Sequence, residues 1–246
     1  RFEGDVPDPT GGVRYVIPEK ANYLRGSSPP LSTGGSDDPF LDHVRPLFEI
    51  ATDVSVVAAF VQDSGLELIR EDIFAALERG TRIRLITGDY LNITQARALD
   101  RLLNWQESSR APDSDEQAPL FESRVIETAR LETPHQAFHP KSWTFAGDGW
   151  ATAFVGSSNV SRSALSGGIE WNLRAERGSN TAAYPRVTEA FESLWSSALP
   201  LTPEWVAAYA ERAREQHRDL PTGDSETEAL SPLPEPHELQ LEALGA

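Results

Sequence analysis

HPKSWTFAGDGWATAFVGSSNVSRSALSGGIEWNLRA, residues 139–175, is the stretch on which the reading of this 246-residue chain turns. It carries three strand-like runs, QAFHPKSWTF (136–145), GWATAFV (149–155) and IEWNLRA (169–175), broken by turn residues. Ala146-Gly147-Asp148-Gly149 supplies a hairpin connection between the first two. On a strand, residues i and i+2 share a face, so His139 and Lys141 present an imidazole beside an ammonium. Such a pair suits phosphate: the cation neutralises phosphoryl oxygens while the ring acts as nucleophile or as general acid and base. Of 22 basic residues only Lys20 and Lys141 are lysine, so at 141 a compact point charge is used where the rest of the chain uses arginine.

The next run ends in Gly156-Ser157-Ser158-Asn159. Glycine admits close approach of a ligand, and the hydroxyls, the amide and the N–H groups opening a short helix near Val160 make an anion cradle. In IEWNLRA, alternation puts Ile169, Trp171 and Leu173 on one face and Glu170, Asn172 and Arg174 on the other. Glu170 is thereby placed to hold a histidine in one tautomer. Taken singly, HxK is a common dipeptide spacing, GSSN an ordinary helix cap and Glu-x-Asn a solvated strand face. Their order on successive strands distinguishes them.

Upstream, apolar spacing predicts a helix over 39–52, through Leu41, Val44, Leu47, Phe48 and Ala51. VSVVAAF (54–60) reads as a buried strand, 66–79 as a helix closed by Gly80, and RIRLIT (82–87) as a second strand. Strand, helix, strand implies a parallel crossover. A helix over 94–105, a polar loop at 107–119, a strand at SRVIET and helices over 184–198 and 203–218 complete an α/β reading: a mixed β-sheet flanked by helices on both faces. Residues 1–37 read as an N-terminal extension, 38–218 as the domain proper, 219–236 as an acidic, proline-bearing linker and 237–246 as the start of another unit.

The formal charge of −16 argues against a general DNA coat or an anionic membrane surface. No cysteine is present, which removes disulfides, thiolate metal sites and cysteine nucleophiles. No apolar run approaches membrane-spanning length and the opening residues lack a signal-peptide pattern, so the expectation is a cytoplasmic protein. The chain starts at Arg1 and lacks methionine, and it is expected to be a piece of a longer polypeptide. GxxxxGK[ST], GxGxxG with an acidic partner and GxSxG are all missing. His135 and His139 have i, i+4 spacing, but Pro134 and Pro140 flank them and disfavour a zinc-binding helix. No metal or other cofactor is expected.

HPK at 139–141, GSSNVSRSAL at 156–165 and GIEWNL at 168–173 resemble the phospholipase D superfamily, in particular its single-motif nuclease branch, over about residues 38–200. The resemblance implies a phospholipase D-like fold, with His139 as nucleophile, Lys141 and Asn159 as phosphate ligands, Ser157 as a supporting contact and Glu170 orienting the histidine. Ser158, Asn172 and Arg174 are expected beside them as substrate contacts. In this family an aspartate follows four residues beyond the lysine; here that position is Ala146. Family sites also combine two HxK motifs, and His43, His135, His217 and His237 have no lysine two residues on, so a catalytic form is expected to be a homodimer. The implied activity is metal-independent phosphodiester cleavage of DNA, with RNA left open; the alternative is a non-catalytic dimerisation or DNA-docking module. PEPHELQLEALGA (234–246) is similar, at Gln240, to the segment before the first ATPase motif of superfamily 2 helicases, implying a nuclease–helicase fusion.

Overall fold

A computed structural model describes residues 30–110, 119–131, 137–178 and 182–217. The elements are β1 (Leu31–Ser32), α1 (Phe40–Phe48), β2 (Asp53–Val57), α2 (Asp63–Glu78), β3 (Arg82–Gly88), α3 (Ala96–Ser108), β4 (Phe121–Ile126), β5 (Ser142–Gly147), β6 (Trp150–Gly156), β7 (Asn172–Glu176), α4 (Ala183–Ser197), β8 (Leu199–Pro200) and α5 (Pro203–His217). They form one eight-stranded sheet in the order β1-β7-β6-β5-β2-β3-β4-β8. β2, β3 and β4 run parallel, and every other pairing is antiparallel. This is the expected mixed sheet with helices on both faces.

Alternation along the strands divides the core. Val54 and Val56 of β2, Ile83 and Leu85 of β3, and Trp143 and Phe145 of β5 face α1, α2, α3 and α5 in one large cluster. Val57 and Ile86 face the opposite way, onto Phe191 and Trp195 of α4. Five helices therefore cover the sheet unequally, four against one. In the later halves of β2 and β3 both faces are buried, which explains the consecutive apolar pairs Val56-Val57 and Leu85-Ile86 there.

Several boundaries move. α1 stops at Phe48, short of the expected 52, and β2 stops at Val57, short of 60. α3 continues to Ser108, into the expected loop. Leu31 and Ser32, assigned to the extension before 38, pair with Leu173 and Asn172 and form the sheet edge. The expected hairpin is present: Gly147 pairs with Trp150 across Asp148-Gly149, and Gly149 takes φ +73°, where a side chain would be strained. His135, the linker at 219–236 and the segment around Gln240 lie outside the described residues.

Register then brings the motifs together. β5 runs antiparallel to β2 with Ser142 opposite Val57, β6 ends beside the start of β5, and β7 begins beside the end of β6. His139, Lys141, Ser157, Asn159 and Glu170 thus collect at the carboxyl edge of β2 and β3, where open α/β sheets place their ligands.

Candidate active site

His139 and Lys141 precede β5 instead of lying on it, because Pro140 between them has no N–H for the sheet ladder. The expected juxtaposition survives in the extended backbone. Lys141 Nζ lies 2.7 Å from His139 Nδ1 and 2.9 Å from His139 O. The imidazole is exposed, whereas Lys141 is only 6% exposed. Partial desolvation on the side of the ring that meets the protein lowers the His139 pKa below its ordinary value, and the neighbouring Lys141 charge lowers it further. Burial likewise pushes the Lys141 ammonium down to about 8, with the Glu170 carboxylate acting in the opposite direction. At neutral pH the site therefore holds an uncharged ring able to attack, lying on a cation that has shed most of its water.

Glu170 is not hydrogen-bonded to His139; its charge bears on Lys141. The expected orienting contact is thus not made within this chain. Asn159 is fixed by the Phe60 N–H, which donates to its Oδ1 at 3.2 Å. That anchoring holds the carbonyl end inward, while Nδ2 is left without a hydrogen-bond partner among the described residues. It is a donor available to an oxyanion.

The cradle expected from backbone N–H groups is not free. Ser157 N–H donates to Trp171 O at 3.1 Å, and Ser158 N–H to Asn172 Oδ1 at 3.4 Å. The helical turn that follows spans only Ser163–Gly167, three residues later than expected. Donors for an anion are side chains here: Lys141 Nζ, Asn159 Nδ2 and the hydroxyl of Ser157, whose Oγ meanwhile accepts the Trp171 N–H at 3.1 Å.

Three expected substrate contacts are corrected. Ser158 and Asn172 are buried against each other, with Asn172 Nδ2 donating to Ser158 Oγ at 2.8 Å. Arg174 lies over the Phe154 ring, donates to Thr152 Oγ1 at 3.2 Å and pairs with Glu176 at 3.0 Å. All three brace the sheet beneath the site. In β7 it is the polar set that points into the core, and Ile169, Trp171 and Leu173 are 84%, 63% and 56% exposed. The alternation was legible in the sequence; which face goes inward depends on register alone.

Ala146 stands at the opposite end of β5, paired with Asp53. It lies five positions on from Lys141, about 16 Å along extended chain. A carboxylate there could not touch a phosphate held by Lys141, so its loss leaves the donor set intact.

Two neighbours carried no recognisable sequence signal. Tyr90 meets the His139 ring edge-on, with centroids 6.4 Å apart. Gly34 packs so closely on the Glu170 backbone that a Cβ would lie 2.3 Å from its N atom, while Gly35 N–H donates to Gly168 O at 2.7 Å. Both glycines of the Gly34-Gly35 pair take positive φ, which the close approach to the Glu170 backbone accompanies.

Residues 52–195 match the family described as cardiolipin synthase, PLD-like domain. No curated protein matches the chain. Among solved structures, NucT from Helicobacter pylori is 15% identical, with a TM-score of 0.45 over 65% of this chain and 89% of that one. Nuc from Salmonella typhimurium is 16% identical, with 0.45 over 64% and 87%. A phosphatidylserine synthase from Haemophilus influenzae is 15% identical, with 0.48 over 78% and 46%. With more than half its length matched, and with HPK and GSSN at one sheet edge, this chain belongs to the phospholipase D-like domain family.

Proposed function

We propose that this domain is a metal-independent phosphodiesterase that cleaves DNA through a phosphohistidine, in a homodimer whose site combines two copies of His139. One observation carries this reading: a buried ammonium, Lys141, touches the His139 imidazole and makes no ion pair among the described residues. A cation taken out of water with no carboxylate at ion-pair distance, the Glu170 charge acting only from further off, is costly, and an incoming phosphodiester supplies the missing contact. His139 attacks phosphorus, forming a P–N bond as the P–O bond to the leaving strand breaks. The partner subunit's His139, carrying a second ring proton as imidazolium, donates that proton to the departing oxygen and is left neutral, so that it then removes a proton from water, whose oxygen displaces His139. Lys141 and Asn159 hold the phosphoryl oxygens as charge develops on them. Because these donors do the neutralising, no metal step is needed.

The two-copy arrangement is supported by β7. Val155 and Leu173 are paired across β6 and β7, and with Trp171 and Ile169 they leave an apolar stripe open beside the half-site. Such a stripe contributes about 1.5–3 kcal/mol per side chain once fully covered. A second copy both covers it and brings the acid that one HPK lacks. Attachment to a helicase unit is proposed on the resemblance of residues 234–246 alone.

The test is cleavage of end-labelled single- and double-stranded DNA in EDTA. Cleavage is expected, with loss of at least 10³-fold in His139→Ala while sedimentation still shows a dimer. Strict dependence on added magnesium would sink the mechanism. An intact wild-type dimer that binds DNA and cuts nothing would instead favour the docking module.

A further inference from the structure

β3 leads into a tight turn, Tyr90–Asn92, before α3 begins. Leu91 (φ 54°) and Asn92 (φ 52°) are the described non-glycine residues with left-handed backbone. Asparagine tolerates that region, but for leucine the Cβ crowds the carbonyl at a cost of about 1–2 kcal/mol. The turn is clamped on both sides. Asp89 Oδ1 accepts the Thr128 N–H at 2.8 Å and its hydroxyl at 2.9 Å. Thr94 Oγ1 donates to Gly88 O at 2.8 Å, and the buried Tyr209 hydroxyl donates to Thr94 O at 2.6 Å.

The strain has a visible result. Leu91 is 51% exposed at the carboxyl edge of the sheet, next to Tyr90, whose ring stands between His139 and the α4-side core. A connection that only had to join β3 to α3 would be relieved by glycine or asparagine at 91, with no apolar side chain in water. Strain combined with an exposed apolar group beside a reactive residue points to a ligand contact.

We propose that Tyr90 and Leu91 form a stacking wall for an unpaired nucleobase adjoining the phosphate at His139. The proposal rests on the phosphodiesterase reading for the position of that phosphate. A base is tethered to its phosphate through a single sugar, so the apolar surface it meets must start beside the nucleophile, where the Tyr90 ring meets His139 edge-on and the exposed Leu91 follows it in the turn. A ring and a leucine cover one base face, and aromatic and aliphatic side chains are the groups proteins use to hold unstacked bases. They make no hydrogen-bond code, so the wall selects single-stranded or frayed DNA without selecting sequence.

The experiment compares oligothymidylate with an abasic oligomer of equal length, which has the same phosphates and no bases. For the wild-type dimer, kcat/KM is expected to favour oligothymidylate by about tenfold or more, the range of one stacked base. Leu91→Asn and Tyr90→Ala are each expected to bring that ratio close to one. Leu91→Asn should do so with an unchanged or raised Tm, which separates the wall from a folding defect. The same ratio is read as binding, by fluorescence anisotropy in the His139→Ala background, where nothing is cut. A wild-type ratio near one, a ratio that the variants leave unchanged, or no binding of either oligomer overturns the wall. Preferential binding of oligothymidylate without cleavage by wild type leaves the wall standing and sinks the phosphodiesterase reading.

Discussion

Lys141 shows how a single residue trades stability for function. Its charged form is penalised in the fold, where burial lowers its pKa from 10.5 to about 8. A base whose folded pKa is depressed destabilises the fold at all pH values below that pKa, and the penalty disappears as pH rises from about 8 to 10.5. Lys141→Met should therefore be more stable than wild type by on the order of 2 kcal/mol at pH 7, with the gap closing across that window in chemical denaturation. It should also be inactive. The pH profile of cleavage has a matching shape. Attack needs a neutral His139 and leaving-group protonation needs the partner subunit's His139 charged, so the acidic limb should lie below the ordinary histidine value, while loss of the Lys141 charge adds a further alkaline fall near 8. In Lys141→Arg that further fall near 8 should vanish, because guanidinium stays charged, with kcat reduced by the poorer fit of a planar fork.

β7 is the element in which local pattern and packing part company. Its apolar residues face outward because Asn172 and Arg174 are committed inward, to Ser158 and to Thr152 with Phe154. One residue of slip would reverse every side chain, and those buried polar pairs hold the register. If the exposed stripe is the contact between copies, Trp171→Asp should yield monomers in analytical ultracentrifugation. Its Tm at low protein concentration should match wild type, since Trp171 contributes little to the core of its own subunit. Cleavage should fall with the dimer fraction, and a monomeric variant of full activity would exclude a shared site.

Across the whole molecule, the net charge of −16 is compatible with the proposed phosphodiester site because the charge is unevenly placed. Residues 133–180 hold 3 acidic and 4 basic residues, while 201–246 hold 10 acidic and 3 basic. DNA binding by this domain should thus release few counter-ions. The slope of log K against log salt is expected to be shallow, about −2 to −4, since each neutralised phosphate contributes about −0.9. A slope near −8 would reveal an extended basic track that the proposed site does not have. No helix among the described residues is long and apolar enough to cross a membrane.

By itself the sequence determined the mixed α/β sheet, the hairpin at Asp148-Gly149, and the motif set His139, Lys141, Asn159 and Glu170, because each is written in local periodicity or short spacing. Tertiary structure alone decided the rest. It turned β7 inside out, used the backbone donors of Gly156, Ser157 and Ser158, packed Ser158, Asn172 and Arg174 beneath the site, and brought Gly34 and Tyr90 to the site from distant positions. The physical reason is the same throughout. A period of two says that a strand has two faces, and a motif says which groups are present, but only the pairing of strands distant in sequence says which face meets the core and which donors remain free for a ligand.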